Sequence, residues 1–154
     1  MTEMKISFLS SDTKQATDAK NKLVKLYGNT PTKEAKIIVA LGGDGLMLQV
    51  LHKFIHSGIP IYGMNCGSIG FLMNALEFDG LYEKLNNSEI TEINPLKMLV
   101  TDIKGKEYSE IAINEVALSR TTYQAAKLNI SINKTVRLKE LISDGLLIST
   151  PAGR

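Results

Sequence analysis

The sequence predicts an α/β protein, with a parallel-sheet domain over residues 1–95 followed by the start of a β-rich domain over residues 96–154. Three observations carry that expectation. Up to the first Gly/Asn-rich loops, apolar runs and amphipathic stretches follow one another as strand, helix, strand, helix, strand. That is the order of a parallel sheet with right-handed crossovers, a Rossmann-like arrangement. Past Pro95 the pattern changes to short apolar runs broken at Lys104-Gly105, Asn133-Lys134 and Asp144-Gly145, the punctuation of antiparallel β structure. The glycine-rich segments at residues 42–45 and 67–70 both fall at carboxyl ends of strands, where open α/β sheets hold their ligands.

Element by element, Lys5–Leu9 reads as a first strand. Ser11 or Asp12 is placed to cap a helix from about Thr13 to Tyr27, with Ala16, Ala19, Leu23, Leu26 and Tyr27 on its apolar face and Gly28 as terminator. Lys36–Leu41 is a fully buried second strand. Leu46, Met47, Val50, Leu51, Phe54 and Ile55 then give helical periodicity, ending near Ser57-Gly58. Ile59–Met64 is a third strand, running into Asn65–Phe71. A short helix follows from about Phe78 to Asn86, then a strand near Glu89–Ile93. Beyond Pro95, Met98–Ile103 and Glu107–Ser119 read as a hairpin, and Leu128–Ile132, Val136–Ile142 and Leu146–Thr150 continue it.

Composition narrows the function classes. Hydrophobic content of 44% and charged content of 22% are ordinary for a globular protein. Eighteen basic against sixteen acidic residues are too balanced for a nucleic-acid stripe or a membrane-binding face, and sparse aromatics without Trp offer no base-stacking platform. A single cysteine, Cys66, permits no internal disulfide and fits a reducing compartment, so a cytoplasmic location is expected. No apolar run approaches the roughly 20 residues of a membrane helix. Some sixty residues of hairpins make a thin core, and a last strand with nothing beside it leaves an open edge; the chain is therefore expected to be a piece of a longer protein.

The stretch IIVALGGDGLMLQVL carries the strongest functional signal. Three glycines around one acid, between a buried strand and a helix start, present backbone N–H groups and the positive end of a helix dipole to phosphate oxygens. A carboxylate repels phosphate, so Asp44 points to a proton acceptor or a metal contact; the alternative is a plain strand-to-helix turn with an acid near the helix start. The turn is neither a Walker A loop, since Leu46 and Met47 follow Gly45, nor the dinucleotide G-x-G-x-x-G fingerprint.

Asn114-Glu115 interrupts an apolar strand on both faces. A carboxylate can accept from both hydroxyls of a ribose while an amide donates and accepts beside it; a solvated strand end is the alternative. Asp144 is a site candidate only in company with the other acids, because Asp-Gly between apolar runs is itself a leading hairpin signal. His52 and His56 have ligand spacing, but Lys53 stands where a zincin needs Glu, and they read as surface residues. Cys66 reads as a small buried filler in preference to a nucleophile.

With GGDG after one strand, NCGSIGF after the next, NE in a β segment and SDGLLISTPAG near the end, the chain resembles bacterial NAD kinases over essentially its whole length. The resemblance implies transfer of the ATP γ-phosphate to the adenosine 2′-hydroxyl of NAD, giving NADP, with a divalent metal, usually Mg²⁺. Asp44 matches the base that accepts the hydroxyl proton. Gly42, Gly43 and Gly45 match the phosphate-handling glycines, with Gly45 also against the dinucleotide. Asn114, Glu115 and Asp144 match acceptor-binding positions, and Phe71 and Ala152 match positions lining the dinucleotide pocket. NAD and ATP are the expected small-molecule partners, with homo-oligomeric assembly of the full-length form and no nucleic acid or membrane. The chain by itself is expected to be inactive. Leu46 departs from the family pattern, where Thr or Ser is frequent, and Arg154 stands where Ser is common. The competing expectations are another GGDG-type kinase with a lipid or sugar-phosphate acceptor, and a non-catalytic nucleotide-binding module.

Overall fold

The computed structural model describes residues 4–68 and 70–153, which leaves Ile69 of the second glycine loop and Arg154 outside the described residues. Residues up to Glu92 form one compact unit and residues from Ile93 a second.

In the first unit, β1 (Ile6–Ser10), β2 (Ile37–Gly42), β3 (Ile61–Asn65) and the two-residue β4 (Asn74–Ala75) make a parallel sheet in that order. The helix α1 (Lys14–Tyr27) joins β1 to β2, α2 (Asp44–Lys53) joins β2 to β3, and α3 (Leu81–Asn87) follows β4. The apolar run of β2 feeds two cores. Val39 and Leu41 pack with Ile6, Phe8, Met64, Ala16, Leu23 and Leu81 on the α1 and α3 side, whereas Ile38 and Ala40 pack with Met47 and Val50 of α2. A strand covered on both faces cannot alternate with polar residues, which is why its sequence reads as one unbroken apolar stretch. Each fully buried Ile or Leu there contributes about 2–3 kcal/mol.

Several details differ from expectation. The α1 cap is Thr13, whose hydroxyl accepts from Ala16 N at 3.3 Å. Ser11 is still tied to the sheet, its N–H donating to Leu41 O at 3.0 Å, so the chain leaves the strand later than Ser11 or Asp12 would require. Gly28 ends the helix at φ 73, in the left-handed region. Leu26 is exposed; Tyr27 takes the last-turn contact, lying edge-on to Tyr82 and donating its hydroxyl to Phe78 O at 2.7 Å. The second helix stops at Lys53, with Phe54–Ser57 in turns, and His56 lies beyond its end, so the two histidines share no helix face. Residues 89–93 form no strand, and Ile90 there is exposed.

The second unit is three antiparallel pairs: β5 (Leu96–Thr101) with β6 (Glu107–Ala112), β7 (Glu115–Ser119) with β10 (Gly145–Ser149), and β8 (Ala126–Ile132) with β9 (Thr135–Ser143). Asn133 and Lys134 take φ of 51° and 65°, the left-handed pair that a tight hairpin turn demands, so the β8–β9 turn is where the sequence put it. The expected single strand Glu107–Ser119 is two strands, broken at Ile113-Asn114. Asp144-Gly145 is not a hairpin turn: β9 and β10 are separated by Asp144 alone yet pair with different partners. Gly145 serves close approach instead, since an added Cβ would overlap the carbonyl oxygen of Leu118 on β7. Among the described residues of this unit only Ile113 and Thr150 are buried.

Candidate functional site

The first cluster is built where β2 and β3 end. Their register sets Gly42 beside Asn65, so both glycine-rich loops leave the sheet at the same edge. Cys66 N donates to Gly42 O at 2.8 Å, and Asn65 Oδ1 accepts from Gly67 N at 2.9 Å, which folds the second loop back on itself. Gly43 is the N-cap of α2, and no side chain caps the helix, leaving its first N–H groups without an intrahelical partner.

The glycines of the turn divide by role. At Gly42 a Cβ would stand 2.8 Å from Leu46 Cδ2 and 3.3 Å from Ser11 Oγ, so that position is closed by packing. Leu46 therefore fills the space over Gly42 with hydrocarbon. At Gly43 and Gly45 a Cβ would meet nothing within 4 Å, and neither residue has positive φ. Neither the backbone nor the packing of this unit requires glycine at those two positions.

Asp44, half-buried at the first position of α2, is bound by the second loop. Its Oδ2 accepts from Phe71 N at 2.8 Å and its Oδ1 from Leu72 N at 3.0 Å. Gly70 is close by, where a Cβ would lie 3.1 Å from Oδ1. Each carboxylate oxygen keeps a further lone pair, so the group can still accept a proton. The Phe71 ring is 93% exposed. The two main-chain donors escaped sequence reasoning, since an N–H leaves no trace in residue identity. Burial pushes the Cys66 thiol above its usual range, which fits a filler and not a nucleophile.

The second cluster lies in the second unit, at the break between β6 and β7. Asn114 Oδ1 is buried without a hydrogen-bond partner among the described residues. Its backbone carbonyl accepts from Thr150 N at 2.7 Å, and the Thr150 hydroxyl donates to Ile113 O at 2.6 Å while accepting from Ala152 N at 3.2 Å. Asn114 and Ala152 are thus brought together, with exposed Glu115 next along β7. Asp144 is not part of this group. Pairing sets Glu115 opposite Ser149 and Ser119 opposite Gly145, so Asp144 flanks the other end of the ladder, roughly 17 Å from Glu115 at about 3.4 Å per residue. There its Oδ1 accepts from Arg120 Nε at 2.5 Å, in a pair whose acid is 85% exposed. Thr150 and Arg120 are additions the sequence did not single out. Thr150 stood inside the STPAG motif as a polar residue ending an apolar strand, which was the available signal.

Among the described residues no three His, Cys, Asp or Glu side chains gather as a metal site. No helix among them is long and apolar enough to cross a membrane.

The family model of the ATP-NAD kinase N-terminal domain matches residues 1–92. Over 97% of its length the chain is 49% identical to an NAD kinase of Caulobacter vibrioides, covering 57% of that protein. It is 46% identical to an NAD kinase of Brucella suis over 99% of the chain and 59% of the relative. With an NAD kinase of Cereibacter sphaeroides it shares 48% identity over 99% of the chain and 60% of the relative. The chain thus spans between 57% and 60% of the length of these relatives.

Proposed function

Since the chain belongs to the ATP-NAD kinase family, we propose that it carries the phosphoryl-transfer turn and the opening part of the acceptor site of an enzyme that phosphorylates NAD at its adenosine 2′-hydroxyl, with ATP as donor. The observation that carries this reading is Asp44: a carboxylate at an uncapped helix N-terminus, held by the amides of Phe71 and Leu72, beside two glycines that the fold itself does not require.

The chemistry follows from that arrangement. The uncapped N-terminus of α2 favours negative charge, and bare main chain at Gly43 and Gly45 lets phosphate oxygens approach its N–H groups. Asp44 takes the proton from the 2′-hydroxyl as that oxygen bonds to the γ-phosphorus and the bond to the β-phosphate oxygen breaks, releasing ADP. Phosphoryl transfer asks a protein mainly for position and charge stabilisation, and a base held by two N–H donors supplies position. Phe71, with its ring exposed, and the Asn114–Glu115–Ala152 group are assigned to the dinucleotide. That Asn114 Oδ1 has no partner among the described residues supports that assignment, because a buried acceptor without one costs about 1–3 kcal/mol and such costs persist where function requires them. Asp144 belongs to the acceptor site only if ligand contact extends along the β7–β10 ladder to Arg120.

The donor set does not fit a metal held by side chains alone, as no other carboxylate or histidine gathers with Asp44 among the described residues. Mg²⁺ is therefore assigned to the phosphates of ATP, which is how that ion is commonly carried. A cytoplasmic setting and homo-oligomeric assembly complete the proposal.

The test uses the complete gene product. NAD should be phosphorylated in preference to lipid or sugar-phosphate acceptors, and Asp44→Asn should lower kcat by about 10²–10⁴, the usual contribution of a general base. Near-normal NADP formation by the Asn variant would remove Asp44 from the mechanism.

A further inference from the structure

We infer that Thr150 is the positioning residue of the acceptor site, setting Asn114 and Ala152 in place through its buried hydroxyl without touching ligand itself. The inference rests on the function proposed above and adds a residue to it. Thr150 is one of only two buried polar side chains among the described residues, the other being Ser7. Its exposure is 4%, which denies it a direct part in binding.

What it does is join two segments distant in sequence. Its N–H donates to Asn114 O at 2.7 Å, its Oγ1 donates to Ile113 O at 2.6 Å, and the same oxygen accepts from Ala152 N at 3.2 Å. Its own carbonyl accepts from Gly153 N at 3.1 Å, closing the 3-10 turn Pro151–Gly153. Gly153 packs so closely that an added Cβ would overlap the Asn114 carbonyl oxygen. The bond to Asn114 O extends the β7–β10 register one residue past Glu115 and Ser149, and the hydroxyl adds a second tie to Ile113 O at the junction of β6 and β7.

A hydroxyl donates and accepts at once from one atom. Valine has the same branched shape and neither capacity, so Thr150→Val leaves Ile113 O and Ala152 N unpaired in a buried place. Serine keeps both bonds and loses only a methyl. The consequence is selective, because Asn114 and Ala152 are assigned to the dinucleotide and not to ATP.

Steady-state kinetics and NAD titration calorimetry on the complete gene product test this. Thr150→Val should raise KM and Kd for NAD about tenfold, the equivalent of one well-placed hydrogen bond, with KM for ATP unchanged, and Thr150→Ser should restore the wild-type values. Should Thr150→Val fail to fold, Gly153→Ala provides the second route: its Cβ displaces the Asn114 carbonyl and should weaken NAD in the same selective way. A lowered melting temperature with unaltered affinity for NAD would overturn the inference, reducing Thr150 to a structural residue. Equal loss of NAD and ATP affinity would overturn it too. If the wild-type protein makes no NADP at all, the functional reading itself fails; wild-type turnover with an unaffected Thr150→Val variant sinks only the role given to Thr150.

Discussion

Gly45→Ala should make the protein more stable and a worse enzyme. Gly45 lies in the first turn of α2, exposed, without positive φ, and with nothing within 4 Å of where a Cβ would stand. Alanine therefore meets no strain. Replacing helical glycine contributes about 0.5–1 kcal/mol, and a first-turn position takes the lower end, about 0.5 kcal/mol. For a protein of this size that raises Tm by about 1–2 °C. The functional effect has the opposite sign. If phosphate or dinucleotide packs on bare main chain there, the new methyl group occupies its place, and a displacement of about 1 Å from the productive geometry costs about 10²-fold in rate. Thermal unfolding and NADP production measured on the same preparation read both quantities. Gly42→Ala serves as the contrast within the motif, because its Cβ would press on Leu46 Cδ2 at 2.8 Å and should lower Tm. A Gly45→Ala enzyme with unchanged kcat/KM for both substrates would refute the idea that this glycine is kept for a ligand.

Other expectations follow from single contacts. Asp44→Asn keeps one acceptor for the Phe71 and Leu72 amides and turns an amide donor toward the other, so hydrogen exchange at one of those N–H groups should accelerate; unchanged protection at both would argue against the tether. Tyr27→Phe removes the bond to Phe78 O at 2.7 Å and the acceptor for Leu81 N at 3.3 Å, and should cost about 1 kcal/mol in urea unfolding while leaving turnover intact. Burial raises the Cys66 thiol, so the folded state holds that proton more tightly than the unfolded chain does. Its contribution to stability is complete below the unfolded thiol's pKa and is lost as pH climbs through the raised folded value. Unfolding midpoints should therefore fall on the alkaline side, and Cys66→Ala should flatten that slope.

What was legible in the sequence was whatever one element's own periodicity decides. The central strand Ile37–Gly42 could be read because burial on two faces forces every residue to be apolar. The α1 face through Ala16, Ala19 and Leu23 could be read for the same reason, and Leu26 misled because the last turn packs against the Phe78 segment, which prefers the tyrosine hydroxyl. Decisions taken across distance were hidden. Glu107 to Ser119 reads as one β segment despite Asn114-Glu115, and that two strands meet there, tied by a hydroxyl 37 residues away, is visible only in the pairing. Asp144-Gly145 has the composition of a hairpin turn, but the glycine is there for its approach to Leu118, a reason that only pairing reveals. The short strand Asn74–Ala75 has too few residues to show any period.

The same contrast applies to the site. GGDG marks Asp44 in sequence, but what makes the carboxylate useful is set by the sheet. Register places Gly42 beside Asn65, the Cys66 amide ties the two strand ends together, and the loop then returns the amides of Phe71 and Leu72 to the acid. A slip of one residue between β2 and β3 would turn every core side chain to the wrong face, so the core that stabilises the fold also fixes the carboxylate. Two main-chain donors hold the carboxylate in place without any ligand, the kind of preorganisation that the proposed proton transfer would use. On the proposed function Asp44 would combine two roles that a single substitution cannot separate, taking the proton and anchoring the loop bearing Phe71. A loss of activity at Asp44 therefore measures both together, whereas Gly45, which anchors nothing, reports on ligand contact alone.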